Sequence, residues 1–213
     1  MKQLKGGVFL VLSLMILQLG ATQKLCAQFQ ANKIDIYLDA GVGLPSGPAS
    51  FTQYSEAGWG FGGGISYEIR PSVKVQLYGQ YHRFKFDEDG AEATQPISGD
   101  ITLVDGSPSD MYNLMLNAIY EYELPQVPTL TYISIGGGFF RAVRPDFDIQ
   151  AGDETVTIEQ RSQSSAGFNG AIGVRHALSE GVSIYGEAKF VTSLFVDQNI
   201  QYFPLSVGIM FGL

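Results

Sequence analysis

Ten charged side chains recur at alternate positions in stretches that are otherwise apolar: Asp35, Asp39, Glu68, Arg70, Lys74, Glu121, Glu123, Arg175, Glu187 and Lys189. Each stands on the parity opposite to the bulky apolar residues of its stretch, so in extended chain all ten share one face. Six acids and four bases confined to a narrow, poorly hydrated space have to pair, because an uncompensated buried charge is strongly unfavourable. Two chemistries are open to such a set. One is a fixed plug of ion pairs; the other is a gate or narrow ion path whose pairs exchange.

A second set is purely basic. Arg83, Lys85 and Arg141 fall on the apolar parity near the ends of their stretches, with Arg144 and Arg161 in the adjoining connections. Guanidinium forks match phosphate oxygens well. The alternative is that these long stems snorkel and their heads pair with neighbouring acids. Such acids are plentiful: Asp87, Glu88, Asp89, Glu92, Asp100, Asp105 and Asp110 in one connection, and Asp146, Asp148, Asp153, Glu154 and Glu159 in another. Asp87-Glu88-Asp89-Gly90 lacks the spaced ligands and closing Glu of a calcium loop, and it reads as solvated. Of the two histidines, His82 has no Ser close behind it and His176 lies at the other end of its stretch. No nucleophile–base arrangement, metal-ligand spacing or cofactor motif results, and an enzyme is not expected.

The elements that must carry these residues are short and alternating. The chain has 213 residues, 26 of them Gly, with 12% aromatics. Residues 1–27 read as a cleavable export signal: Lys2 and Lys5, then the apolar run from Gly7 to Gly20, then a cut after Ala27. Cys26 raises a lipid anchor, but Leu25 before it is not the small residue that lipid transfer requires. Removal of residues 1–27 takes away Lys2, Lys5 and Lys24 and leaves 10 basic against 21 acidic residues, a net charge of −11. That balance argues against a nucleic-acid partner.

Residues 28–213 then read as a single domain of eight period-two stretches: Lys33 to Leu44, Gly58 to Arg70, from Val73, Met111 to Leu124, Leu130 to Arg141, around Phe168 to Arg175, around Val182 to Phe190, and Phe203 to Leu213. In the last, Phe203, Leu205, Val207, Ile209, Phe211 and Leu213 oppose Ser206, Gly208, Met210 and Gly212. One such stretch fits any half-buried strand; eight in series, each close to or beyond the ~9–11 residues of a tilted membrane strand, do not. The connections alternate as well. Pro71-Ser72, Pro125 to Pro128 and Ser179 to Gly181 are short, while Asp87 to Asp110 and Arg144 to Gln163 are long. Within the long ones, Asp146 to Gln150 and Thr155 to Gln160 predict a hairpin extending strands five and six, and Ile101 to Val104 an extension above strands three and four.

Hydrocarbon leaves no water for unpaired backbone groups, so such a sheet must close on itself. The expectation is an all-β fold: a closed antiparallel transmembrane β-barrel of about eight strands with short periplasmic turns and long extracellular loops. Through these strands and the pattern from Leu205 to Leu213, the chain resembles the OmpA/OmpX-type small outer-membrane barrels of Gram-negative bacteria, and the signal segment ending Cys26-Ala27-Gln28 is similar to those of Bacteroidota. The resemblance implies a bacterial outer-membrane location with both mature termini periplasmic, and a C-terminal strand recognised by the outer-membrane assembly machinery. It also implies contact with outer-membrane lipid, with Arg83, Lys85 and Arg141 at the height of lipopolysaccharide phosphates. The expected role is structural, or surface interaction with a ligand at the loops. The alternatives are a narrow channel for ions or small solutes and, further off, a lipid A-modifying enzyme.

Overall fold

The computed structural model describes residues 34–87, 101–124, 128–144, 147–151, 154–158, 161–195 and 198–213. The segment read as an export signal lies outside these residues, as do Glu88, Asp89, Glu92, Asp100, Asp146, Asp153 and Glu159. Among the described residues, eleven strands and one helical turn follow in order: β1 (Ile34–Gly47), α1 (Ala49–Thr52), β2 (Gly58–Arg70), β3 (Val73–Phe84), β4 (Ile101–Gly106), β5 (Ser109–Glu123), β6 (Thr129–Arg144), β7 (Phe147–Ala151), β8 (Glu154–Ile158), β9 (Arg161–Ser179), β10 (Val182–Ser193) and β11 (Gln201–Gly212).

Eight of them close into an antiparallel barrel in the order β1-β2-β3-β5-β6-β9-β10-β11, with β11 returning to β1. The closing ladder runs from Asp35 opposite Gly212 to Leu44 opposite Phe203, and the Leu213 N–H donates to the Ile34 carbonyl at 2.9 Å. No sheet edge is left in the barrel wall, the condition for a strand structure in hydrocarbon. The wall strands are 12 to 19 residues long, enough to cross a bilayer with tilt.

The turns β2–β3, β5–β6 and β9–β10 are short and gather at one end with the start of β1 and the end of β11. Ser72 (φ 69°) and Gly181 (φ 77°) take the left-handed conformation in two of these turns, which is natural for Gly181 and costs Ser72 roughly 1–2 kcal/mol. The other four connections leave the opposite end. There β4, β7 and β8 form a separate three-stranded sheet in the order β4-β7-β8. The hairpin between strands five and six is thus present as β7 and β8, Phe147 opposite Ile158. Ile101–Gly106 does not extend β3 and β5 as the sequence reading placed it. It crosses to pair with β7, Leu103 opposite Ile149, because a strand with a free ladder satisfies its backbone against the nearest open edge.

Outward parity carries the bulky residues: Leu38, Phe61, Ile65, Leu77, Leu116, Ile135, Ile172 and Val207 are each more than half exposed. Such an apolar surface belongs in lipid. Aromatic rings border it at both ends. Toward the long connections, Trp59, Phe61, Tyr81 and Tyr112 pack with centroids 5.1–6.2 Å apart. Toward the short turns stand the exposed Tyr67, Tyr120 and Tyr122. Two aromatic belts around an apolar band mark two membrane–water interfaces.

Candidate functional site: a layered lumen and a basic rim

Inward parity carries small and polar residues because eight strands enclose little more than side chains. Glycine makes the remaining room. A Cβ on Gly62 would collide with the Tyr78 hydroxyl, and one on Gly173 with the Tyr132 ring. The glycines on the lumen face are therefore the counterpart of tyrosines lying across it.

Nearest the short turns is an ion-pair chain. Lys74 Nζ lies 2.5 Å from Asp35 and 3.2 Å from Glu121, and Arg175 lies 3.0 Å from Glu121. Ser66 Oγ donates to Asp35 at 3.2 Å. These residues come from β1, β2, β3, β5 and β9, all are buried, and the two acids balance the two bases. Short, hydrogen-bonded geometry is what allows such a chain to exist out of water.

One layer further in, Asp39 Oδ2 accepts hydrogen bonds from the Tyr78 and Tyr185 hydroxyls at 2.5 and 2.6 Å. Lys189 Nζ is 2.9 Å from Glu187 and 4.0 Å from the centre of the Tyr78 ring, while the Tyr132 hydroxyl donates to Glu187 at 3.2 Å. A small cavity between these two layers is lined by Tyr37, Gln76, Tyr132, Arg175, Tyr185 and Glu187 among others.

Toward the long connections the lumen turns apolar. Phe84, Met111, Met115, Phe140, Ala142, Val191 and Tyr202 pack with Phe51 of α1 and Ile200, and Phe195 joins them from the β10–β11 connection. Small and polar inward residues give way here to Met111 and Met115 of β5, with Asn113 between them, and to Phe140 and Ala142 of β6.

Of the ten charges read from the sequence, seven meet inside the lumen: Asp35, Asp39, Lys74, Glu121, Arg175, Glu187 and Lys189. Glu68 stands opposite Lys74 in the β2–β3 ladder without an ion pair to it, and Arg70 and Glu123 stand apart. They occupy the last positions of β2 and β5 at the short-turn end, where Arg70 and Glu123 are exposed and the β2–β3 register shifts between Glu68 and Arg70. Parity assigns a face but not a depth. The lumen tyrosines that bind Asp39 and Glu187 were not read as functional, although Tyr78 and Tyr185 sit on the same parity as the charges.

The basic set lies on the outer surface. Arg83, Lys85 and Arg141 are all exposed at the long-connection end; Arg83 stands opposite Trp59 of the aromatic belt, and Lys85 lies two positions further out. Arg83 Nε lies 3.7 Å from Asp110, which also accepts from the Tyr81 hydroxyl at 2.7 Å. Arg141 faces Tyr112 across the β5–β6 ladder. Of the histidines, His82 is buried in the lumen, and His176 Nδ1 lies 3.0 Å from Thr129 Oγ1 at the short-turn end. No group of three or more His, Cys, Asp or Glu residues that could hold a metal occurs among the described residues.

A family model described as the outer membrane protein beta-barrel domain matches residues 9–211. Among solved structures the chain is similar to Neisserial surface protein A (NspA), at 17% identity over 85% of this chain and 97% of that one, with a TM-score of 0.59. It is similar also to a major outer membrane protein from Thermus thermophilus, at 12% identity over 84% and 99% of the two chains, with a TM-score of 0.50. At these identities the likeness is one of fold. No curated protein matches the chain.

Proposed function

The chain belongs to the outer membrane protein beta-barrel domain family, and from that premise we propose an integral barrel of the bacterial outer membrane that conducts nothing and acts at its cell-surface end. The observation that carries this reading is the second sheet: two separate connections, β4 and the β7–β8 hairpin, combine beyond one end of a barrel whose lumen is filled. Folding two loops into a paired sheet costs backbone entropy that a mere connector would not spend, and surface loops on a rigid scaffold are where binding residues concentrate. In this orientation the short turns and both termini face the periplasm, residues 1–27 are the export signal, and β11 is the strand offered to the assembly machinery. Replacing residues 147–158 by a short Gly-Ser turn should leave the barrel folded and abolish the surface adhesion that cells gain on overproducing the protein. Unchanged adhesion would count against the reading. In planar bilayers neither wild type nor Lys189→Ala should pass stepwise current; regular conductance steps would favour the narrow channel instead.

The exposed cations refine the lipid partner. Arg83 and Arg141 stand at the aromatic belt and Lys85 just outside it, their heads within reach of the level where an outer leaflet presents lipopolysaccharide phosphates, and the Asp110 carboxylate helps hold Arg83 there. Removing all three as Arg83→Ala/Lys85→Ala/Arg141→Ala should lower the lipopolysaccharide that co-purifies by several-fold, since each charge-assisted phosphate contact contributes roughly 1.5–3 kcal/mol before screening. Equal amounts in both preparations would leave the cations as snorkelling side chains only.

A further inference from the structure

The outer half of the lumen is walled by the barrel but closed by chain that is not part of the barrel. Its wall is apolar and soft, with Met111 and Met115 among Phe84, Phe140, Val191 and Tyr202. Its cover is Phe51, whose ring meets Phe84 edge-on at 5.1 Å. Phe51 belongs to a single four-residue helical turn. The exposed hydrogen bond from Ser50 Oγ to Gln198 Oε1, 2.6 Å, joins that turn to the β10–β11 connection; a bond of this kind competes with water and holds little.

Level with Met111, Met115 and Val191, the same lumen carries a polar floor. The His82 ring is 5.1 Å from Tyr202 and 6.0 Å from Phe84. Gln80 stands opposite Asn113, whose side-chain N–H donates to the Tyr202 hydroxyl at 3.0 Å, and Asn169 stands opposite Val191. Gln80, His82 and Asn169 are 6%, 1% and 5% exposed. Gln80 Oε1, His82 Nδ1 and Asn169 Oδ1 nevertheless have no hydrogen-bond partner. Two are obligate acceptors and the third becomes one in a single tautomer, so the floor offers acceptors and asks for a donor.

We propose that this outer half-lumen is a binding chamber, covered by α1, for a small uncharged amphiphile. Its apolar body takes the place of the Phe51 ring and its N–H or O–H head donates to the acceptors of the floor. The barrel below decides between a chamber and a gate. The Asp39–Tyr78–Tyr185 layer and the ion-pair chain still fill the lumen when α1 withdraws, so the motion opens a blind pocket and not a path. The absence of formal charge from the wall and from these floor residues favours an uncharged ligand, because a charged one would be desolvated without a counter-ion. Flexible methionines suit a pocket that must close on Phe51 when empty and on the ligand when full.

The test uses indole, which has one N–H donor, and indene, its hydrocarbon counterpart, titrated into the full-length protein in lipid nanodiscs with labelled methionine methyl groups. In wild type the probe must displace Phe51, which weakens its apparent affinity by the fraction of open lid. Phe51→Ala should bind indole about tenfold more tightly or better, with shifts at the Met111 and Met115 methyls. In that background at least one of Gln80→Leu, His82→Phe and Asn169→Leu should weaken indole about tenfold and leave indene unchanged. Should Phe51→Ala not fold, Ser50→Ala/Gln198→Ala loosens the cover while keeping the core, and a smaller tightening in the same direction is expected of it. No tightening in a folded variant, methyl shifts elsewhere than at Met111 and Met115, or no separation of indole from indene overturns the proposal.

Discussion

Lys74→Met should destabilise the barrel by about 3–5 kcal/mol, the range for removing one partner of a buried ion pair. Lys74 is the hub of the ion-pair chain, holding Asp35 at 2.5 Å and Glu121 at 3.2 Å. Without it the two acids fare differently. Glu121 keeps Arg175 at 3.0 Å, whereas Asp35, 2% exposed, retains only the Ser66 hydroxyl at 3.2 Å. The loss is therefore that of one stranded carboxylate. Lys74→Met/Asp35→Leu should recover most of the stability, since an apolar pair of similar volume does about as well as a buried ion pair. Arg175→Met should cost less than Lys74→Met, because Glu121 keeps its second cation. Urea unfolding in lipid vesicles measures all three. A cost below about 1 kcal/mol for Lys74→Met would mean that the lumen is hydrated enough to screen the acids as a surface would, and a water-filled passage would then replace the sealed barrel.

Much of this architecture is legible in the residues, and the limits of that legibility have physical causes. Hydrocarbon forces every wall strand to alternate, so the outward set Leu38, Leu77, Leu116 and Ile172 and the inward set Asp35, Lys74, Glu121 and Arg175 can be sorted without coordinates. Which inward residues touch cannot. Asp35 meets Lys74 across β2, and Glu121 meets Arg175 across β6; such contacts depend on the stagger of a closed barrel, which leaves no mark on a period of two. Depth is equally silent in parity, which is why Arg70 and Glu123, exposed at the strand ends, share a parity with the buried charges. The apolar closure did leave a trace: from Met111 to Leu116, Asn113 aside, and again at Phe139-Phe140, both parities turn apolar. A strand facing lipid outside and polar groups inside has no reason for that, so a loss of alternation near a strand end marks a filled lumen. The pairing of β4 with β7 lies beyond local reading altogether, since it joins residues about 45 positions apart.

Leu116→Arg asks whether the outward face is in lipid at all. Leu116 sits at the middle of β5, four positions from Tyr112 in one aromatic belt and four from Tyr120 in the other, and is 59% exposed. On a water-facing sheet, exchanging a half-exposed leucine for arginine changes stability by roughly 0.5 kcal/mol or less. At the midplane of a bilayer the same guanidinium has no water within easy reach. Its stem can snorkel toward either belt, yet a cost of about 2–4 kcal/mol remains. Placing the charge nearer a belt provides the internal control: Tyr112→Arg, beside Arg141 and just under the phosphate level, should cost much less, since the penalty falls to roughly 0–1 kcal/mol near the interfaces. Reversible unfolding from vesicles would report the pair. A gradient from Leu116 to Tyr112 is what a bilayer imposes and a soluble barrel cannot produce. Equal and small costs at both positions would remove the membrane from the interpretation of this face, and with it the placing of Arg83, Lys85 and Arg141 among lipid phosphates.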